Sequence, residues 1–139
     1  MNIVRTRAVL GEIHDKQDAA TARVDALARG IAPPVDPALS DRVDLSRSLG
    51  AGERSVLTWA ISTGPEALCV FHDAAARTGA RRLGVAVTGT LGLVLRAKLN
   101  GRLAAAAPLL EEAVAAGLYL DDAVLAAALA GVGEAWPRR

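Results

Sequence analysis

Apolar and polar residues follow two spacings along the chain, and the first of them is helical. Between Arg7 and Arg29 the apolar positions recur every three, four or seven residues, which predicts an amphipathic helix stopped by Gly30. The stretch from Ile31 to Ser48 contains three prolines and predicts an extended connection. We expect this connection to reach the core through three aliphatic residues: Val35, Val43 and Leu45.

The second spacing, short continuous apolar runs, begins after a further helix. Apolar residues share one helical face between Ala51 and Thr63, which predicts a helix over that range. Ala67 to Phe71 and Val85 to Val87 are apolar runs of strand length, and Ala74 to Leu83 between them has helical composition. Such runs are typical of parallel strands covered on both faces, so the region predicts a strand–helix–strand unit.

The remainder of the chain predicts helices. Thr88 or Thr90 is placed to cap a helix that runs to about residue 99. Two Ala-rich helices follow, from Leu103 to Ala116 and from Asp121 to Ala130, and acidic residues favour the start of the second. We expect the last four residues, beginning at Trp136, to fray.

The composition fits one soluble α/β domain spanning residues 1–139. Aromatic residues make up only 3% of the chain against 52% apolar residues, which favours close packing of helices. The 16 basic and 15 acidic residues nearly cancel, so binding of nucleic acid would need a local basic patch. Cys69 is the single cysteine and predicts a buried thiol without a disulfide. Since no segment has the pattern of a signal peptide or membrane span, we expect a cytoplasmic protein.

Polar side chains follow both predicted strands, at the edge where ligands bind in open parallel sheets. His72 and Asp73 come directly after the first run, Thr88 and Thr90 follow the second, and Glu53 begins the preceding helix. Carboxylates that converge without paired cations form a hard oxygen site, which suits Mg²⁺ or Mn²⁺ and not Zn²⁺. Such a metal activates water and neutralises charge on a phosphodiester.

Each of these polar residues also has a purely structural interpretation. Glu53 interacts favourably with the amides and dipole at the start of its helix. Asp73 is placed to cap the helix that begins at Ala74. His72 is then a half-buried residue at the end of a strand, and His14 a solvated helix residue.

The order and spacing of several segments carry a family resemblance. They are Leu49-Gly50-Ala51-Gly52-Glu53, His72-Asp73-Ala74-Ala75-Ala76-Arg77, Arg81-Arg82-Leu83-Gly84-Val85-Ala86-Val87-Thr88-Gly89-Thr90-Leu91-Gly92 and Leu95-Arg96-Ala97-Lys98. Over about residues 49–134 the chain resembles the PIN-like domain family, in a bacterial and archaeal branch of nucleic-acid-binding proteins. The resemblance implies a three-layer α/β sandwich in which helices flank a short parallel sheet.

The resemblance also implies a nuclease-like site in which carboxylates hold Mg or Mn. Glu53 matches the acid at a helix start, Asp73 the second member of an acidic pair, and Glu12 the acid on an early helix. His72 stands where the first acid of that pair normally stands. Thr88 and Thr90 match a polar motif near the site, with helix capping and close backbone approach as the alternative roles.

The chain departs from the family pattern at its beginning. Family members usually have a strand with an Asp before the segment equivalent to Arg7, whereas this chain has six residues there. We therefore expect an N-terminally truncated fold that lacks the first strand. A partner chain supplying the missing strand and a misplaced gene start are the alternative explanations.

The implied activity is that of a metal-dependent ribonuclease, with a toxin of a toxin–antitoxin pair as its specific form. Its partners are then RNA and an antitoxin, and the expected RNA contacts are four arginines: Arg77, Arg81, Arg82 and Arg96. Solvated surface arginines are the alternative. A catalytically impaired module that binds RNA or protein is the second functional hypothesis, and a homo-oligomer packed through the Ala-rich helices is the third.

Overall fold

The computed structural model describes residues 3–15, 33–38, 41–44 and 49–137. The chain divides into two compact units, Met1–Val87 (unit 1) and Thr88–Arg139 (unit 2), and each is described by itself. The length of the chain predicts a single domain, and this stays a prediction. Within the described ranges no helix is long and apolar enough to cross a membrane.

Unit 1 contains helices and a short sheet in the predicted strand–helix–strand order. Its elements are α1 (Arg7–Asp15), α2 (Asp41–Asp44), α3 (Ala51–Thr63), β1 (Leu68–Val70), α4 (Ala74–Arg82) and β2 (Ala86–Thr88), whose last residue is the first of unit 2. The predicted bounds of α3 are confirmed. β1 and β2 pair in a two-stranded parallel sheet, which confirms the α/β class.

The segment before α3 is partly described. The predicted helix from Arg7 is confirmed as far as Asp15, and its continuation to Arg29 lies outside the described residues. Val35 pairs with the chain beside Thr6 in an isolated parallel bridge, with N···O distances of 2.9 Å for both hydrogen bonds. The connection is therefore extended there, but it also contains the short helix α2, which the prolines did not predict.

The core of unit 1 is built from small aliphatic residues. It comprises Val43, Leu49, Leu57, Ala60, Ala67, Cys69, Phe71, Ala76 and Ala80. The predictions of a buried Val43 and a buried Cys69 are confirmed, whereas Leu45 lies outside the described residues. Burial raises the pKa of the Cys69 thiol to about 11.

β1 is covered on one face. Cys69 points into the core, while Leu68 and Val70 on the other face are 38% and 43% exposed. The prediction that both faces are covered is therefore wrong for this strand. A continuous apolar run hides the alternation of faces, because both kinds of position carry apolar residues.

Unit 2 consists of three helices around a second core in the part of it that the structure describes. They are α5 (Thr90–Leu99), α6 (Ala107–Ala115) and α7 (Asp122–Ala130). The buried residues of this core are Ala106, Ala107, Leu110, Leu125 and Leu129. Asp121 caps α7 by accepting hydrogen bonds from the amides of Ala123 and Val124, which confirms the predicted role of an acid at this helix start.

Three details of unit 2 differ from the sequence predictions. The N-cap of α5 is Gly89 and not a threonine, because Thr90 is already the first helical residue and the Thr88 hydroxyl donates to the Gly89 carbonyl. α6 begins at Ala107, four residues later than predicted, because the Glu134 carboxylate caps it at that point. Trp136 is held in place, because its indole N–H donates to Asp122 and its ring packs against the core, whereas Arg138 and Arg139 lie outside the described residues.

Candidate functional site

Two carboxylates meet at the start of α3. The N-cap residue, Gly50, has no side chain to satisfy the first amides of the helix. Glu53 reaches back one turn, so that its Oε2 accepts a hydrogen bond from the Gly50 amide at 2.6 Å. Glu12, from α1, accepts one from the Gly52 amide through its Oε1 at 2.8 Å. Both acids therefore stabilise the same helix start.

The absence of side chains on two glycines allows this approach. A Cβ on Gly52 would lie 2.8 Å from Oε2 and 3.0 Å from Oε1 of Glu12, closer than real Cβ contacts. A Cβ on Gly50 would lie 3.2 Å from Oε2 of Glu53 and 3.8 Å from Oε1 of Glu12. Since both carboxylates surround the same point, Glu12 and Glu53 are neighbours in space although 41 positions separate them in the sequence.

A buried pair of hydroxyl groups holds the residue that precedes α1 against α3. The oxygens of Thr6 and Ser55 lie 2.6 Å apart, and both residues are buried. Ser55 also donates to the Gly52 carbonyl at 2.7 Å. Because buried polar groups need such partners, this contact fixes the start of α1 relative to α3 and helps to position Glu12 about one and a half turns later.

The chemistry of this pair fits a divalent cation of the Mg²⁺ kind. Glu12 and Glu53 each use one oxygen on an amide, and within the described residues no hydrogen bond engages the second oxygen of either. Mg²⁺ is commonly held by one or two carboxylates, with water and substrate phosphate completing its shell. Among the described residues, no cluster of three or more acids, histidines or cysteines forms a complete metal site.

Asp73 lies at the start of a different helix. It is the N-cap of α4, and its Oδ1 accepts a hydrogen bond from the Ala76 amide at 2.9 Å. Its predicted capping role is confirmed. The structure thus brings Glu12 and Glu53 together but does not join Asp73 to them in a group of three. Its participation in a metal site stays a prediction.

The residues around Asp73 differ in what they contact. His72 is exposed, and its carbonyl accepts a hydrogen bond from Arg77. The same guanidinium donates to the Phe71 carbonyl at 3.1 Å, so Arg77 holds the end of β1. The other three predicted RNA contacts, Arg81, Arg82 and Arg96, are exposed side chains.

The two threonines flank Gly89, the N-cap of α5, with Thr88 at the end of β2. A Cβ on Gly92 would lie 2.5 Å from the Thr88 hydroxyl oxygen, so this glycine gives the hydroxyl its space. Thr90 is the first residue of the helix. Thr88 therefore has one of the alternative roles predicted for these threonines, a close approach to the backbone. The place of both threonines near a catalytic site stays a prediction.

The residues that position Glu12 and Glu53 were not among the residues predicted from the sequence. Thr6 and Ser55 are polar, so an apolar pattern does not show that they are buried. Gly52 is the one member with a sequence signal, because a glycine near the start of an otherwise regular helix often marks a close approach.

Comparison with known proteins identifies one family. No curated protein and no solved structure matches the chain significantly. A family model described as "PIN domain" matches residues 1–134, which is nearly the whole chain. The two acids at the start of α3 lie within the matched region, as does the strand–helix–strand unit. The chain therefore belongs to the PIN domain family.

Proposed function

We propose that the chain is a metal-dependent endoribonuclease of the PIN type. Family membership indicates a nuclease-like module that acts on nucleic acid. The observation that carries the proposal is the meeting of Glu12 and Glu53 at one helix start, because two preorganised carboxylates are the nucleus of a site for a hard cation.

The proposed ligands of Mg²⁺ or Mn²⁺ are Glu12 and Glu53, with Asp73 as a third ligand that has to move toward them when the cation binds. When bound, such a cation neutralises charge on a phosphodiester and lowers the pKa of water. The amides of Gly50 and Gly52 orient the two glutamates before any ligand arrives, which reduces the entropy lost on binding. Asp73 is similarly held by the first turn of α4.

Exposed arginines are the proposed contacts to the RNA backbone. Arg81, Arg82 and Arg96 present guanidinium groups at the surface, and guanidinium recognises phosphate through paired hydrogen bonds. Arg77 is assigned a supporting role, because its guanidinium already binds two carbonyls at the end of β1.

Cleavage of single-stranded RNA in Mn²⁺ tests the proposal. We expect wild-type protein to cleave and Glu53→Gln to cleave at least about tenfold more slowly, because the amide keeps an acceptor for Gly50 but loses the charge that holds metal. Glu112→Gln, which removes an exposed acid from α6, is the matched control and should cleave normally. Cleavage that persists in excess EDTA would contradict a metal-dependent mechanism.

The alternative is an impaired PIN module that binds RNA or protein without cutting. A specific observation favours it: Glu12, Glu53 and Asp73 each already cap a helix, so all three acids have structural work without metal. Retention of RNA without cleavage, together with calorimetry that detects no Mn²⁺ binding at millimolar concentration, would support this alternative over the nuclease.

The more specific role is a cytoplasmic toxin that an antitoxin inhibits. We expect induced expression of the wild-type chain to slow growth of a bacterial host and expression of Glu53→Gln to leave growth unchanged. The proposed homo-oligomer is tested separately, by light scattering of the purified chain. A monomer at all concentrations would remove that part of the proposal and leave the nuclease intact.

A further inference from the structure

Unit 2 contains an open cleft that neither Glu12 nor Glu53 lines. Its volume is about 690 Å³, within the range of sites that bind small organic ligands. The walls are mainly apolar and include a tryptophan, and an ion pair lies within the cleft. The lining residues are Lys98, Ala105, Ala107, Glu134, Ala135, Trp136 and Pro137.

The aromatic wall is held in a defined orientation. Trp136 packs against the core of unit 2 on one side, and its indole N–H donates to Oδ1 of Asp122 at 2.9 Å. The side chain is only half-buried, so part of the ring faces the cleft. A tryptophan that is fixed by a hydrogen bond and still exposed is a suitable platform for a flat ligand.

The ion pair offers one further hydrogen-bond donor. Glu134 accepts hydrogen bonds from the amides of Ala106 and Ala107, and these bonds hold the pKa of its carboxyl below the usual value. Lys98 donates to the Ala104 carbonyl and lies 3.4 Å from the carboxylate. An ammonium group has three donors, so one N–H remains for an acceptor on a ligand.

These features select the kind of ligand. A free phosphate is disfavoured, because Glu134 already occupies the amides at the start of α6 and repels a second anion. A purely aliphatic ligand would cover the Lys98 ammonium without satisfying it. A nucleobase meets both demands, since it has a flat apolar face for Trp136 and carbonyl or ring acceptors at its edge.

We propose that this cleft binds one base of a single-stranded RNA, with the base stacked on Trp136 and an acceptor atom of its edge bonded to Lys98. The inference rests on the proposed function for its choice of RNA. It adds a second nucleotide-binding site on unit 2, which holds the strand by a base and not by its phosphates. Base stacking tolerates any sequence, so the site increases affinity more than it selects a sequence.

Tryptophan fluorescence tests the site without any need for cleavage. In a Trp59→Phe background Trp136 is the remaining tryptophan. We expect a short oligouridylate, added in EDTA, to quench its emission in a saturable manner. Affinity is measured by the fluorescence anisotropy of labelled RNA. Trp136→Leu should bind RNA roughly tenfold more weakly than the wild type, and Trp136→Phe should keep an affinity close to that of the wild type. The affinity of Lys98→Gln should fall severalfold.

The control is Tyr119→Leu, which removes an 84% exposed aromatic ring that does not line the cleft and should leave affinity unchanged. Absence of quenching, or equal affinity of wild type and Trp136→Leu, would overturn the inference, as would quenching by an apolar peptide but not by RNA. If Trp136→Leu fails to fold, the quenching and Lys98→Gln measurements decide. Quenching in a protein that never cleaves RNA would refute the nuclease alone.

Discussion

At the scale of single residues, two glutamates perform the same task on different helices. Glu12 caps α3, whose N-cap is Gly50, and Glu134 caps α6, whose N-cap is Ala106. Neither N-cap residue has a side chain that accepts a hydrogen bond. The acceptors come from 40 and 28 positions away in the sequence, so local capping rules do not reveal them.

The crowding of Glu12 against Gly52 is measurable by a double-mutant cycle. Ala is a better helix former than Gly by up to about 1 kcal/mol, but a Cβ at Gly52 displaces the Glu12 carboxylate. We expect Gly52→Ala to be more stabilising, by about 1 kcal/mol, in the Glu12→Ala background than in the wild type. Urea unfolding of the four proteins gives the coupling.

A matched substitution controls for helix propensity. Gly11→Ala, in α1, adds a Cβ that meets nothing within 4 Å. Its effect on stability should therefore be the same in the wild type and in the Glu12→Ala background. The predicted crowding is absent if Gly52→Ala has the same effect in both backgrounds.

Burial of Cys69 predicts a loss of stability at alkaline pH. The pKa of the thiol is about 11 in the folded chain, against 9.0 for an exposed thiol. Below pH 9 the thiol is protonated in both states; between 9 and 11 it ionises only in the unfolded state, so stability falls. The full effect is about 2 to 3 kcal/mol.

The measurement compares wild type with Cys69→Ala. The free energy of unfolding is measured in urea at about pH 8 and about pH 10.5, in the presence of reductant. It should decrease less between these two pH values in the variant than in the wild type. Equal losses in the two proteins would assign the effect to other groups. The comparison uses the pH dependence and not absolute stability, because the shortened side chain also leaves a small cavity.

At the scale of elements, the cap of α6 makes a prediction at acid pH. Backbone amides lower the pKa of Glu134, so its contribution to stability is present above the pKa of an unfolded glutamate and is lost as the pH falls through the lowered folded value. We expect Glu134→Gln to melt at a lower temperature than the wild type at neutral pH. On acidification its melting temperature should fall by less than that of the wild type. Melting curves by circular dichroism measure both.

An acid on the same helix provides the control. Glu112 is exposed near the end of α6, where it caps nothing in the described structure, and Glu112→Gln should keep the pH dependence of the wild type. If the melting temperature of Glu134→Gln falls as much on acidification as that of the wild type, the carboxylate charge contributes little to the cap.

The elements that could be predicted from sequence are those set by local pattern. The bounds of α3 follow from one apolar face, and Asp121 marks the start of α7 by an ordinary capping rule. The start of α6 was placed too early because helical composition begins at Leu103, although Pro108 in the first turn is a local signal for the later start and Glu134 supplies the cap. The exposed face of β1 was hidden for a similar reason, since only tertiary packing distinguishes its two faces.

The candidate site was predictable in part. Resemblance to the family pointed to Glu12, Glu53 and Asp73, and two of these three lie together. The capping geometry of Glu53 and Asp73 follows from their positions at helix starts. The contact between Thr6 and Ser55, which positions the start of α1 against α3, had no sequence signal, because it joins residues 49 positions apart.

At the scale of the whole molecule, the charges nearly cancel, with a net charge of +1. RNA binding should therefore depend only moderately on salt, because few phosphates are neutralised. With Arg81, Arg82 and Arg96 as the contacts, we expect a slope of about −2 for log affinity against log salt concentration. Each arginine replaced by Ala should flatten the slope by about 0.7.

Filter binding over a range of NaCl concentrations in EDTA measures these slopes. Arg102→Ala, which removes another exposed arginine outside the proposed set, should leave the slope unchanged. A wild-type slope steeper than about −4 would indicate an extended basic surface, in conflict with the three proposed contacts.

The remote caps also decide which fragments of this protein can be studied alone. A piece cut to the region of strongest motif similarity, about residues 49–134, would leave out Glu12 and expose the Gly52 amide at the beginning of α3. Shortening the other end by one residue from 134 would remove the acceptor for α6, and the family match ends at that same position. Expression clones should therefore retain both glutamates, however well the intervening segment matches the family.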